Sequence, residues 1–418
     1  MYSPSLSRPL VALFACASGF SVANVYYAQP LLGALADDFG IARAAIGAVV
    51  TATQAGSVLA LLLLVPLGDL LPRRRLMLWQ MLALVVALLA VAGAANVAWL
   101  MSAMLAVGLL GTAMTQGLIA YAAAAADASQ RGGVVGAAQS GVVSGLLLAR
   151  VVAGAVADLA GWRAVYGGSA LAMLVMAVLL WQLLPVLPVL PVQQAALSYP
   201  RLLVSMFTLL REDRVLRVRG VIALLMFAAF NIMWSALILP LSAAHYHYSH
   251  TAIGAFGLVG LAGTLAAARA GQWADQGHSR RTSAVALMLL SLSWLPLGAA
   301  FQPGASTVTT VFMLVLGILM LDLGVQALHV TNQSLIFRAG NESHSRLVGC
   351  YMLFYAVGSG TGAWAATALF DIAGWHGVCA LGGGVSLAAL GFWAVAGTNN
   401  SLLLQTTLHR NHENDSKR

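Results

Sequence analysis

The sequence predicts an all-α integral membrane protein, with twelve transmembrane helices in two pseudo-symmetric six-helix bundles. Three observations carry that reading. The 418 residues are 60% hydrophobic and only 8% charged, with a mean hydropathy of +0.87, whereas soluble domains carry about 25% charged residues. Apolar runs long enough to cross a hydrocarbon core, which takes about 20 residues at 1.5 Å each, recur along the whole chain. Finally, DLAGWRAV at Asp158–Val165 returns as DIAGWHGV at Asp371–Val378, 213 residues later. The same offset relates Leu110 and Gly111 to Leu323 and Gly324, Val135 and Gly136 to Val348 and Gly349, and Gly145 to Gly358. IGAVVTATQAGSV at Ile46 is echoed by IGAFGLVGLAGTL at Ile253, 207 residues apart. One unit of about two hundred residues is used twice, as in proteins that build two alternating openings around a central site.

In chain order the spans are expected at 9–33, 46–69, 76–96, 99–122, 133–157, 164–184, 219–242, 252–272, 283–302, 306–330, 346–370 and 377–397. They are too long for buried strands, and backbone facing lipid must satisfy its own hydrogen bonds, so each is a helix. The first run exceeds the 7–15-residue core of a signal peptide and is read as a retained span. Gly141 with Gly145, and Gly358 with Gly362, place GxxxG pairs in the equivalent fifth and eleventh spans, where small residues let helices approach. After the sixth span, PVLPVLPVQQ breaks the helix, and RLLVSMFTLLREDRVLRVR from Arg201 has the pattern of an amphipathic helix on the membrane surface. The resulting division is an N-terminal bundle (1–184), a cytoplasmic connecting loop (185–218), a C-terminal bundle (219–397) and a polar tail (398–418) expected to be unstructured.

The net charge of +8 describes topology rather than a nucleic-acid partner. Seventeen of the 21 Lys and Arg fall at one set of helix ends: Arg8, Arg73–Arg75, Arg131, the stretch Arg201 to Arg219, Arg280, Arg281, Arg338, Arg346, Arg410, Lys417 and Arg418. The opposite loops hold only Arg43 and Arg163, while Arg150 and Arg269 lie within spans. The positive-inside rule therefore puts both termini and the central loop in the cytoplasm. Cys16, Cys350 and Cys379 sit in apolar runs and are expected to be packed, inert thiols. His245, His247 and His250 are spaced loosely and have no carboxylate nearby, so no metal site is assigned. No lysine precedes Lys417 and no Gly-rich loop follows a strand, which excludes a Walker-type nucleotide site. No cofactor is expected, and an ion gradient would supply the energy for any transport.

Two polar turns stand at equivalent places: PLGDLLPRRR after the second span and GQWADQGHSRR after the eighth. Here the chain resembles the major facilitator superfamily, whose corresponding loops carry a G-x-L-x-D-R-x-G-R-R signature. In the first copy Leu67, Asp69, Arg73 and Arg74 fit, while Val65, Leu70 and Pro72 depart; in the second Gly271, Asp275 and Arg280 fit, while Gln276, His278 and Ser279 depart. A carboxylate at a helix end beside arginines makes a charge latch for an inner gate. The alternative is a solvated turn whose arginines only set topology. In the fifth span, GAAQSGVVSGLLLAR resembles the antiporter signature of the drug:proton branch at Gly136 and Gly145, with Ser140, Gly141 and Ser144 replacing its Gly, Pro and Gly. NVYYAQPLL at Asn24 is similar to a group of efflux-like bacterial permeases. The resemblance implies a monomeric, multi-pass carrier of a small molecule in the bacterial inner membrane.

The most costly intramembrane residues are Arg150 and Asp322, at about 2.5–3.5 kcal/mol each on the lenient insertion scale. Counting 1.5 Å per residue puts Arg150 roughly 7 Å outside the midplane and Asp322 roughly 6 Å inside it, too far apart for a static bridge. Arg150 shares its level with Asn24, Tyr27 and Gln54, an outer polar cluster suited to an anionic or hydroxylated solute; the alternative is a structural anchor. Asp322, Gln326, His329 and Gln333 form one stripe of the tenth span. Their counterparts in the fourth are Leu109, Ala113, Gln116 and Ala120, so the second half alone is equipped this way, and Gln116 with Gln326 joins the candidate cavity. A carboxylate and a histidine can both cycle a proton, which makes Asp322 and His329 the candidate carriers; a hydrogen-bonded packing stripe is the alternative. The expected function is secondary transport by alternating access, as efflux in exchange for protons. Proton-coupled uptake of a sugar or organic anion is the alternative, with a non-transporting sensor or an intramembrane enzyme more remote.

Overall fold

The structure, a computed structural model, describes residues 7–126, 130–184, 199–242, 248–260, 263, 269, 270, 272, 273, 276–339 and 344–415. Every regular element among them is a helix. The first repeat supplies α1 (Arg8–Tyr26), α2 (Gly47–Leu59), α3 (Arg73–Ala92), α4 (Val97–Ala125), α5 (Arg131–Ala160) and α6 (Trp162–Leu183). After α7 (Tyr199–Glu212) the second repeat supplies α8 (Arg214–Ala236), α9 (His250–Ala255), α10 (Ser279–Leu292), α11 (Thr307–Ala339) and α12 (His344–Asp415). Ten helical stretches among the described residues are long and apolar enough to cross a bilayer. The last of them holds two expected spans, because α12 breaks at Gly374. The eighth expected span is described continuously from His250 to Gly260, as α9 and the 3-10 turn that follows it.

The duplicated motif proves to be a helix-to-helix turn. Gly161 and Gly374, equivalent by the 213-residue offset, adopt φ of 82° and 60°, a left-handed region that a Cβ disfavours. Each following tryptophan is buried and anchors its turn: Trp162 Nε1 donates to Asp38 Oδ2 (3.2 Å) and Trp375 Nε1 to the Leu297 carbonyl (2.7 Å). The GxxxG pairs also have matching tasks. A Cβ on Gly141 or Gly145 would strike the backbone of Ala15 or Gly19 in α1, and one on Gly358 or Gly362 would strike Leu224 or Ala228 in α8. The same backbone approach therefore joins α1 to α5 and α8 to α12.

Some boundaries differ from expectation for identifiable reasons. The seventh span begins at Arg214 rather than 219, because Asp213 caps it by accepting from Leu216 N–H at 2.9 Å. The second span loosens before its end, through a π-turn at Ala60–Leu64 and a 3-10 turn at Pro66–Asp69. The amphipathic stretch divides at Asp213: its first part is helix α7, held against the bundle rather than free, and from Arg214 it belongs to α8. Leu202 and Met206 are buried, Tyr199 Oη donates to the Leu63 carbonyl (2.8 Å), and Met206 meets Cys350. Cys350 and Cys379 are buried as expected; Cys16 is exposed, because its side of α1 is turned away from the core. Helical backbone continues to Asp415, into the segment expected to be unstructured.

The two ends of the bundle differ. At the end remote from the termini the repeats close tightly on one another. Gly47 N–H donates to Thr367 Oγ1 (3.2 Å), Thr51 Oγ1 donates to the Gly360 carbonyl (2.8 Å), and Gly154 and Gly254 bring α5 into backbone contact with α9. Asp158 completes this closure. Its Oδ1 accepts from His250 N–H (3.1 Å) and contacts His250 Nδ1 (2.9 Å), while its Oδ2 accepts from Thr251 N–H (2.8 Å) and Oγ1 (2.6 Å). At the end bearing the termini, a cavity of about 90 Å³ lies among Arg73, Gln80, Gln116, Leu202, Met206 and Arg346. Glycines 117, 133 and 136 there have no described atom within 4 Å of a Cβ position.

Candidate functional site

The site lies where α5, α8, the eighth span and α11 meet, and glycines make it. After α9 the chain tightens into a 3-10 turn, Phe256–Gly260. Residues three apart eclipse in that geometry, so Gly257 and Gly260 share one face, about 6 Å apart at 2.0 Å per residue. A Cβ on Gly257 would lie 3.4 Å from Arg150 Cδ, and one on Gly260 would lie 2.7 Å from Asp322 Oδ2. Arg150 and Asp322 therefore lie against adjacent turns of one glycine face.

This corrects the separation expected from counting residues. Helical side chains lean toward the N-terminus of their own helix. The α5 and α11 helices run in opposite directions, so the long Arg150 side chain and the Asp322 carboxylate lean toward each other. They lie within electrostatic reach although no hydrogen bond joins them.

Arg150 is 2% exposed, and its surroundings are mostly aromatic. Its guanidinium carbon lies 4.0 Å from the Trp234 ring centroid, 5.6 Å from Phe230 and 5.7 Å from Tyr26, positions that favour a cation electrostatically. Nε donates to Gln29 Oε1 (2.9 Å), Gln29 Nε2 donates to Asn231 Oδ1 (3.0 Å), and Asn231 Nδ2 donates to the Phe227 carbonyl (3.1 Å). One side of the guanidinium is thus held by residues from both repeats. On the other side Nη2 is buried without a hydrogen-bond partner. The Trp234 indole N–H faces Asp322 yet completes no bond either.

The expected outer cluster is not assembled around Arg150. Asn24 Oδ1 accepts from Ser169 Oγ (2.6 Å) in α6, and its amide donates to the Phe20 carbonyl (2.8 Å). Tyr27 packs edge-on against Tyr166, with centroids 6.4 Å apart. Gln54 is buried beside Gly360, with its Oε1 unpartnered. A partner on the neighbouring helix turned Asn24 and Tyr27 away, and Gln29 and Tyr26 hold the place beside Arg150. Sequence reading missed Gln29, Asn231 and Trp234. The available signals were the amide inside NVYYAQPLL and the Asn and Trp interrupting the otherwise apolar seventh span.

Along α11 the stripe splits. Asp322 is buried at the glycine face, and Gln326 Cγ lies 3.0 Å from a Cβ position on Gly263. His329 Nδ1 is 3.0 Å from Tyr351 Oη and packs edge-on against Phe227. Asn332 continues the series by accepting from Arg219 Nη1 (3.4 Å), which also donates to Ser283 Oγ (3.2 Å). Arg219, first read only as part of the basic patch, therefore enters the polar interior of the second repeat. Gln116 lines the cavity at the end bearing the termini.

Of the expected gate residues, Gly271 and Asp275 lie outside the described residues, and Asp69 closes the 3-10 turn after α2. Arg73 donates through Nε to the Gly68 carbonyl (3.0 Å) and through Nη1 to that of Ala120 (3.4 Å). Arg74 Nη2 donates to the Trp181 carbonyl (2.5 Å). Both arginines reach carbonyls in the C-terminal parts of α4 and α6, where cations are favoured. Arg280 is exposed in the first turn of α10. His245 and His247 lie outside the described residues, and among those described no cluster could hold a metal ion.

The sequence pattern of the Major Facilitator Superfamily matches residues 12–301 and, in a second overlapping match, residues 220–407. The chain belongs to this superfamily. An uncharacterized transporter of Escherichia coli O157:H7, YgaY, is 39% identical over 395 residues, covering 93% of this chain and 95% of that one. Among solved structures, the nucleoside transporter NupG superposes with a TM-score of 0.74 at 15% identity, covering 93% of this chain and 99% of that one. A peptide transporter, POT, solved with alafosfalin, gives 0.70 at 16% identity, covering 94% and 99%. A bacterial homologue of the human lysosomal transporter Spinster, in an inward-facing and unoccupied conformation, gives 0.67 at 13% identity, covering 94% and 96%. This superfamily member is a multi-pass membrane transporter with the fold expected from its duplicated halves.

Proposed function

We propose that the chain carries a small solute across the bacterial inner membrane by alternating access, with proton movement through Asp322 as the energy source. The observation that carries this reading is the placement of Asp322. It is a carboxylate 5% exposed, set between the repeats beside Arg150 and just below the end where they close. A carboxylate is costly at that depth and is retained where it faces a partner or a pathway. With both termini cytoplasmic, the closed end faces outward and the cavity at Gln116 opens inward. His329, Tyr351, Asn332 and Arg219 then form a polar series from the level of Asp322 toward the cytoplasm. The relatives named above include carriers of nucleosides and peptides, which suits a small polar solute without naming one.

Direction follows from what the substrate competes with. A cation that displaces the proton from Asp322 gives exchange and efflux, whereas an anion that takes Arg150 gives co-transport. The unpartnered donor on Arg150 supports the second better, so the uptake alternative is preferred to the efflux first expected. The test is Asp322→Asn in proteoliposomes, which keeps size and much of the hydrogen bonding but cannot cycle a proton. The variant should exchange substrate down its gradient and fail to concentrate it when a pH gradient is imposed. Undiminished accumulation would return Asp322 to a packing role.

A further inference from the structure

We infer that the transported solute is a small monocarboxylate, whose head group bonds the free Nη2 edge of Arg150 and the Trp234 indole N–H and takes the place of Asp322 as counter-ion. The inference rests on the proton-carrying role proposed for Asp322 and adds substrate class and the sign of coupling. Arg150 Nη2 is buried without an acceptor, and in the same cluster the Trp234 indole N–H is turned toward Asp322 without closing a bond of full geometry; an unmade buried hydrogen bond is costly. A carboxylate offers two oxygens to two such donors. The ring faces of Trp234, Phe230 and Tyr26 that surround the guanidinium suit an apolar body behind the head group. Gln29 and Asn231 hold the opposite side, so the fork already points at its free edge.

Charge then fixes the coupling. Without substrate, Arg150 and Asp322 balance one another in a water-poor interior. A carboxylate arriving at Arg150 leaves one negative charge in excess unless Asp322 takes a proton, and a buried uncompensated charge is strongly disfavoured. Anion and proton therefore bind together, each strengthening the other, as linkage requires. The other titratable groups near Asp322 are Tyr26, which faces Arg150 from the end of α1, and His329, two turns along α11. A dianion would need a second positive charge that the cluster does not supply.

The experiment measures binding of butyrate, lactate and benzoate, each against its neutral amide, to purified protein by calorimetry at pH 8 in two buffers of different ionisation enthalpy. At least one acid should bind with uptake of about one proton per anion, while its amide binds at least tenfold more weakly. Arg150→Gln should weaken the acid roughly 10- to 100-fold, in line with loss of a charged hydrogen bond. Trp234→Phe keeps the ring and removes one donor, and should cost several-fold even if the arginine variant fails to fold. Asp322→Asn should bind the acid without proton uptake. Amides binding as well as acids, or no acid binding, overturns the monocarboxylate assignment and leaves the proton role of Asp322 to the flux test. Acid binding without proton uptake by the unaltered protein overturns the linkage.

Discussion

Asp158→Ala removes, in one substitution, every bond by which the end of α5 holds the start of α9. The carboxylate accepts from two backbone N–H groups, a hydroxyl and an imidazole at 2.6 to 3.1 Å. These groups belong to opposite repeats, so the bonds exist only while the end remote from the termini is shut. Losing a helix cap costs about 0.5–2 kcal/mol, and a hydrogen bond to a charged group contributes about 1.5–3 kcal/mol. The side chains of His250 and Asp158 are 31% and 25% exposed, so water competes and the lower part of that range applies. A loss of about 2 kcal/mol shifts the closed-to-open ratio at that end about 30-fold. His250→Ala removes only the imidazole contact and should shift it less. The assay is pulsed electron spin resonance on labels at positions 43 and 306, with the three native cysteines replaced by serine. A longer-distance population should grow in Asp158→Ala and only modestly in His250→Ala. Unchanged distributions in Asp158→Ala would refute the clamp and leave closure to the glycine contacts and the Gly47–Thr367 and Thr51–Gly360 hydrogen bonds.

Gly161→Ala and Gly374→Ala should each destabilise the protein by about 1–2 kcal/mol, since both turns need φ above zero, and thermal unfolding in detergent would show it. Arg163→Ala should cost under about 1 kcal/mol, because the Arg163–Asp38 ion pair (2.7 Å) is 47% and 38% exposed; unfolding midpoints within experimental scatter would agree. A cysteine at Ser306 should react with an impermeant maleimide from outside intact cells and one at Ser198 should not; the reverse would invert every inside and outside assignment made here.

Much of the architecture is legible without coordinates, and the reasons are local. A bilayer allows few solutions for backbone polar groups, so the length of an apolar run already determines a helix. The repeated motif also marks its own turn, because Gly161 and Gly374 satisfy a backbone requirement that depends on neighbouring atoms alone. The GxxxG pairs belong to the same category, since the absence of side-chain volume signals close approach whichever helix comes near.

The site was legible in its costly residues and not in their partners. Arg150 and Asp322 stand out because charge is expensive in lipid wherever it occurs. Their neighbours depend on how helices from different repeats rotate and cross. Asn24 was assigned to the cavity by its level, yet it faces Ser169 of α6, while Gln29 from the following turn reaches Arg150. A count of residues along an axis gives the height of a Cα, but opposed helices lean their side chains toward one another. Asp158 marked the duplication from the start, and its clamp on His250 and Thr251 still required the fold, because that contact joins segments 92 and 93 residues apart. Sequence alone thus determined the solvent, the duplication, the turns and the two buried charges, all of which follow from one segment and its medium. Tertiary structure alone decided which donors remain free, which repeat supplies each partner and which end is closed, because those depend on the relative placement of helices that no local pattern encodes.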